Sequence, residues 1–243
     1  MVWGNNGEQQ GVREASNLWG ISVKQWIELI RKQASKPPSP KQAVMRDIAA
    51  RMREISARLV RTKAKTPVLE NVAKQLQAVE QQLQQHQVHA ERGQSSFGET
   101  SGVSGKCSPI SPPLHITLLD SSVRAVACFS AVYEGPPNGV HGGFVSAVWD
   151  EALGIVQGYG GAFGMTKQLT IEFHNMTPLF KNVVFEARVD KREGRKTFCV
   201  GRAYVEGEEG VTLSTARALF VSGSGILTQM GGQSSKRSLP SSL

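Results

Sequence analysis

One helix-like stretch, residues 143–157, sits among strands and limits the fold more than any other feature; it is closed by Gly158, Gly160 and Gly161. Upstream, Val123, Ala125, Ala127, Phe129, Ala131 and Tyr133 alternate with their neighbours, the period-two pattern of a strand with one face buried. Gly135-Pro136-Pro137-Asn138-Gly139 then forms a tight turn. Downstream, residues 169–173, 183–191, 197–206 and 211–222 read as strands, joined by turns such as Arg192-Glu193-Gly194 and Gly207-Glu208-Glu209-Gly210. One helix among five antiparallel strands, with hairpin spacing after the helix, is an α+β pattern. No internal repeat is present.

Charge divides the chain. Residues 1–106 carry 16 Lys and Arg against 9 Asp and Glu, whereas residues 107–243 carry 12 against 11. Almost all of the net +8 therefore belongs to the N-terminal part, and residues 24–65 alone count 12 against 3. Such asymmetry bears on partners rather than on fold. Residues 1–20, rich in Gly, Asn and Gln, read as a loose tail. A basic helical extension is expected over 21–92. In it, Ser22 and Gln25 form a capping-box pattern ahead of Val23, Trp26, Ile27 and Ile30, and Lys36-Pro37-Pro38-Ser39-Pro40 ends that helix. A second helix carries Val44, Ile48, Met52, Ile55 and Leu59 on one face and arginines on the others. In a third, Leu69, Val72, Leu76, Val79 and Leu83 make a narrow stripe suited to another helix or to the domain downstream. Residues 93–113 read as a Gly/Ser/Pro linker, 114–222 as the main domain and 223–243 as a flexible tail.

Three widely spaced cysteines, Cys107, Cys128 and Cys199, exclude a disulfide framework and a Cys-x-x-Cys metal knuckle, and they fit a reducing compartment. Cys128 and Cys199 lie in strand patterns and read as core positions. No apolar run approaches the roughly 20 residues of a bilayer-spanning helix. The first residues lack the basic start and apolar stretch of a secretory signal. The expectation is a soluble, intracellular, cytoplasmic protein.

The chemistry concentrates after the tight turn. His141-Gly142-Gly143 opens the helix, and bare glycines at a helix N-terminus let a substrate oxygen approach unpaired N–H groups and the positive end of the dipole. That arrangement polarises a carbonyl and stabilises an oxyanion. Asp150 lies nine residues past His141, about 2.5 turns along the helix, too far to serve the same N-terminus. It needs a site completed by something else, such as a second subunit. Glu151 is adjacent, but neighbouring helix residues point about 100° apart, so only one of the two acids can face the site.

His141-Gly142-Gly143, the Asp at plus nine and the preceding Glu134-Gly135-Pro136-Pro137 resemble the hotdog-fold acyl-CoA thioesterases, in particular the group like the phenylacetate-pathway thioesterase. The similarity continues through residues 165–173, Thr177-Pro178-Leu179 and the Gly194-Arg195-Lys196 hairpin, and begins near Gly105. It implies a long central helix wrapped by a curved antiparallel sheet, carried here with an N-terminal helical extension. It also implies a homodimer or dimer of dimers with each site at the subunit interface. Carried over, Gly142 polarises the thioester carbonyl, and His141 orients the loop. Asp150 of the facing subunit acts as general base or nucleophile, and Thr166 positions water or the carboxylate. Gly143, Asn138, Arg195 and Lys196 are candidates for holding the substrate, the two cations through the phosphates of CoA. The resemblance implies acyl-CoA as substrate, with no metal and no redox cofactor.

A second reading is a hotdog domain that binds acyl-CoA without turnover, as a sensor or scaffold working through its basic helices. A hydratase would need a second histidine suitably placed, and none is. Residues 24–65 could meet an anionic membrane surface or an acyl carrier protein. Nucleic acid is disfavoured because Trp26 is the one aromatic residue there. Trp149 and Phe163 are the candidates for lining an acyl pocket.

Overall fold

The computed structural model describes residue 28 and residues 36–86, 99–161 and 164–222. The expected loose tail, the helix beginning at Ser22, the C-terminal tail and Phe163 lie outside the described residues.

Helix α1 (Pro40–Leu59) starts where the proline run was expected to stop a preceding helix. Ser39 caps it, its hydroxyl accepting from the Gln42 N–H while the Gln42 side chain accepts from the Ser39 N–H, and Pro40 takes a first-turn position that needs no N–H donor. The helix packs by its small and arginine face. Ala49 is buried, and three arginines reach the rest of the chain: Arg46 pairs with Glu99, Arg53 donates to the Ser108 carbonyl at 2.7 Å, and Arg61, just beyond the helix, meets Glu134 at 3.3 Å. The apolar stripe of Val44, Ile48, Met52, Ile55 and Leu59 faces outward. Helix α2 (Thr66–Gln84) likewise keeps Leu76, Val79 and Leu83 exposed, and only Leu69 and Val72 are half-covered. Of the two partners expected for that stripe, the domain downstream does not cover these three residues.

The segment before the sheet is tied down by its own polar groups. The Cys107 N–H donates to the Glu99 carbonyl, and the buried Ser111 hydroxyl donates to the Gly105 carbonyl at 2.6 Å.

Six strands follow: β1 (Leu114–Leu118), β2 (Ser122–Cys128), β3 (Met165–Phe173), β4 (Asn182–Glu193), β5 (Lys196–Val205) and β6 (Ser214–Val221). They form one antiparallel sheet in the order β1-β2-β4-β5-β6-β3. β1, a five-residue edge strand, is an addition to the five strands expected. The strand expected to run to residue 133 stops at Cys128, and Ala131–Tyr133 forms a 3-10 turn instead. Cys128 is exposed at that strand end, so it is not a core position, whereas Cys199 is buried.

Helix α3 (Gly142–Val156) lies on the concave face of the curved sheet, the hotdog arrangement that the resemblance implies. Val145, Val148, Trp149, Ala152, Leu153 and Val156 are buried against Val123, Ala125, Val183, Phe185 and Phe220. Trp149 is part of this core: its indole N–H donates to the Ser214 hydroxyl at 3.0 Å, and its ring stands edge-on to Phe185 at 5.1 Å. It does not line an acyl pocket, because none of its surface is open. Gly201 makes room for it, since a Cβ there would come within 2.5 Å of the indole. No helix among the described residues is long and apolar enough to cross a membrane.

Candidate active site

The start of α3 has a defined donor inventory. His141 is the N-cap, and its Nδ1 accepts from the Gly143 N–H at 3.0 Å. As an acceptor, Nδ1 carries no proton, so the neutral ring holds its hydrogen on Nε2. The Phe144 N–H donates to the His141 carbonyl at 2.9 Å. Among the first N–H groups that a helix leaves unpaired, this leaves the Gly142 N–H without an acceptor among the described residues. The space beside Gly142 is open: a Cβ there would meet only the Phe173 ring, at 3.5 Å.

The turn before it is built from the backbone. Glu134 and Val140 form a bridge, the His141 N–H donates to the Tyr133 carbonyl at 2.8 Å, and Asn138 takes the left-handed region at φ 62°. Asn138 is therefore a turn residue by conformation. Its N–H donates to Glu134 Oε1 at 2.8 Å. Tyr133 is buried against Phe129 and Phe144, and burial pushes its phenol up to about 12. It is no acid or base near neutral pH. Burial likewise pushes the Cys199 thiol up to about 12, which denies it the thiolate a nucleophile needs.

Asp150 and Thr166 meet directly. The Thr166 hydroxyl donates to Asp150 Oδ1 at 2.9 Å across the α3–β3 contact, and the sheet register slips between Thr166 and Gln168. A slip of this kind re-aims side chains at a strand edge. Both residues are exposed. Glu151 is engaged elsewhere, accepting from the Ser104 hydroxyl, so the two adjacent acids serve different surroundings.

The sequence-derived residues thus fall into two groups. His141, Gly142, Gly143 and Asn138 cluster at the start of α3. Arg195 and Lys196 belong with Thr166 and Asp150 instead, since Lys196 pairs with Val221 on β6, and Val221 pairs with Met165 on β3. Arg195 donates to the Ser222 carbonyl, and its neighbour Arg192 reaches the Gly160 carbonyl beyond the end of α3. Gly142 and Asp150 are separated by about 12 Å of helical rise, so one chain cannot aim both at one carbonyl. Two residues that sequence reasoning did not assign, Arg61 and Glu134, contact the turn. Glu134 was visible beside the motif, whereas Arg61 carried no signal that tied it to a residue 73 positions away.

No family model matches the chain. It is similar to a thioesterase superfamily protein of known crystal structure, 30% identical, with 77% of this chain and 97% of that one covered at a TM-score of 0.67. Residues 114–243 are little more than half of the chain, so that likeness reaches into the N-terminal helices. It is also similar to acyl-coenzyme A thioesterase THEM4 of Xenopus laevis, 34% identical over 90 residues, which are 36% of this chain and 39% of that protein. The THEM4 of Bos taurus is 39% identical over 90 residues, 36% of this chain and 35% of that protein. The chain spans little more than a third of the curated relatives it matches. A site with an unpaired helix-start donor and a hydroxyl-held carboxylate, on a helix wrapped by this sheet, belongs with the nearly full-length match: the chain is a member of the thioesterase superfamily.

Proposed function

We propose that this protein hydrolyses acyl-CoA thioesters to a free acid and CoA. The observation that carries the reading is the exposed Asp150 carboxylate held by the Thr166 hydroxyl, because a domain that only bound its ligand would need neither. The thioester oxygen accepts from the Gly142 N–H and draws on the positive end of α3. Asp150 of the facing subunit takes the proton of an attacking water, or attacks the acyl carbon itself to give a mixed anhydride that water then opens to the free acid. The carbon–sulfur bond breaks, and the CoA sulfur leaves as thiolate and is protonated. His141 keeps the glycine loop in shape through its Nδ1 cap. Asn138 and Gly143 border the carbonyl, and Arg195 and Lys196 are assigned to the phosphates of CoA. A panel of acyl-CoA substrates of graded chain length, followed by thiol release, tests this. Binding without thiol release across the panel would favour the sensor reading instead.

The separation of Gly142 from Asp150 supports a homodimer, or a pair of dimers, with each site shared between subunits. β3 is the matching surface: an edge strand, exposed along most of its length, with Met165 and Phe173 half in solvent. Mixing Asp150→Asn chains with Gly142→Pro chains should recover up to about a quarter of wild-type activity, from interfaces that combine both intact halves. An active monomer by light scattering would remove the idea.

The basic helices support docking to an anionic membrane surface rather than to nucleic acid. In α1 the apolar stripe faces outward beside exposed Lys41, Arg51 and Arg58, the composition of an interfacial helix. Binding to anionic vesicles should be strong at low salt and fade as the Debye length falls to about 3 Å near 1 M. Binding only to an acyl carrier protein, or to neither, would overturn it. A cytoplasmic, intracellular setting is part of the same proposal. The extension is not a free arm, however. Removing residues 1–65 would take Arg46, Arg53 and Arg61 from their partners, Glu99, the Ser108 carbonyl and Glu134.

A further inference from the structure

The turn that delivers His141 to the helix start is held from outside the sheet domain. Arg61, two residues past the end of α1, donates to Glu134 Oε2 at 3.3 Å, and its guanidinium carbon lies 5.0 Å from the Phe180 ring centre. The other oxygen of the same carboxylate, Oε1, accepts from the Asn138 N–H at 2.8 Å. Asn138 is the left-handed residue on which the turn reverses, and its carbonyl accepts from the Leu179 N–H. The turn in turn bears on His141. A Cβ at Gly135 would stand 2.7 Å from His141 Cα, so the two backbones touch and cannot shift independently. Each link is a contact between neighbours, and together they join the residue two past the end of α1 to His141, the N-cap of α3.

We infer that Arg61 is a positioning residue: through Glu134 and Asn138, the N-terminal extension fixes the turn that aims the Gly142 N–H. This rests on the reading of Gly142 as the group that polarises the substrate carbonyl. Arg61 touches no reacting atom. The Asn138 N–H, and after it the Arg61 guanidinium, hold the Glu134 carboxyl below the usual carboxylate range, so it is ionised whenever it grips the turn near neutral pH. The pair is half in solvent, with side-chain exposures of 47% and 32%, and contributes little to global stability. Its effect therefore falls on the geometry of the turn. A displacement on the order of 1 Å at a catalytic donor is enough to slow a reaction severely.

The test breaks the ion pair from either end in the full-length protein. Arg61→Met keeps a stem over Phe180 and removes the charge, while Glu134→Gln keeps an acceptor for Asn138 and removes the pairing. Each should lower kcat about tenfold with KM within about twofold, because a misaimed donor costs most in the transition state. The double variant should fall no further than either single one, and Arg61→Lys should recover at least half of the wild-type kcat. A second readout is independent of turnover: amide exchange of peptides covering residues 134–143 should speed up in both single variants while the rest of α3 keeps its protection. Unchanged kcat together with unchanged exchange overturns the inference, as do additive losses in the double variant. A wild-type protein that turns over no acyl-CoA defeats the proposed activity and leaves the exchange measurement to decide the role of Arg61. Should Arg61→Met fail to fold, Glu134→Gln carries the same comparison.

Discussion

Asp150→Asn is expected to lower kcat at least about a hundredfold while leaving acyl-CoA binding within about twofold. The amide keeps the shape of the carboxylate and can still accept from Thr166, but it can neither take a proton from water nor attack a carbonyl well. A hundredfold loss is about 2.7 kcal/mol of barrier; retention of more than about a tenth of the wild-type rate, under about 1.4 kcal/mol, would place the chemistry elsewhere. Glu151→Gln is the control. Its carboxylate is occupied by Ser104, so the change should act mildly and through the Ser101–Ser104 turn. A reversal of the two effects would move the role to Glu151. Single turnover in ¹⁸O-labelled water separates the two modes open to Asp150. A general base leaves the label in the product and none in Asp150. A nucleophile forms a mixed anhydride, which leaves the first product unlabelled and labels Asp150 when water opens it at the Asp150 carbonyl. Trapping of that anhydride with hydroxylamine identifies it when water opens it at the acyl carbon.

Trp149→Ala should cost about 3–5 kcal/mol of folding stability, measured by urea denaturation. The indole is fully buried, so its removal opens a cavity between α3 and the sheet that the surrounding strands cannot collapse to fill. The Ser214 hydroxyl, also buried, loses its donor. Against a total stability of about 5–15 kcal/mol this is a large fraction. Trp149→Phe keeps much of the volume and the edge contact with Phe185, and should lose less than half as much. A loss below about 2 kcal/mol for the alanine variant would mean that α3 is held by something other than this residue. The consequence extends to chemistry, because the seated indole fixes the helix rotation that sends the next side chain, Asp150, outward toward Thr166.

What the sequence revealed depended on distance along the chain. The alternation of Val123, Ala125 and Ala127, the glycines at residues 142–143 and the hairpin spacing after Gly194 are local signals, and they located α3 and most of the sheet. β1 was missed because five residues after a proline pair give too short a run for a period to register. The ordered set around His141 likewise drew attention to Gly142 and Asp150. Their partners were harder to see. Thr166 came from resemblance and not from pattern. Glu99 with Arg46, Ser108 with Arg53 and Glu134 with Arg61 are pairs between residues 53 to 73 positions apart, and no periodicity encodes them. Helix α1 shows the same limit. A stripe of Val44, Ile48, Met52, Ile55 and Leu59 is normally the face that packs, but here arginine hydrogen bonds and small residues decide the contact, and hydropathy alone reverses the answer.

The place of β3 in the sheet has a consequence for how the chain is made. β3 leaves the ribosome directly after α3, yet its hydrogen-bonding partner is β6, the last strand, and between them β4 must join β2 and β5 must join β4. During that interval residues 165–173 have no neighbour in their own chain to satisfy their N–H and C=O groups. The strand that carries Thr166 is thus the one most open to premature pairing, with another nascent copy or with a chaperone. Any nonsense change before Ser214 would leave it in that condition permanently.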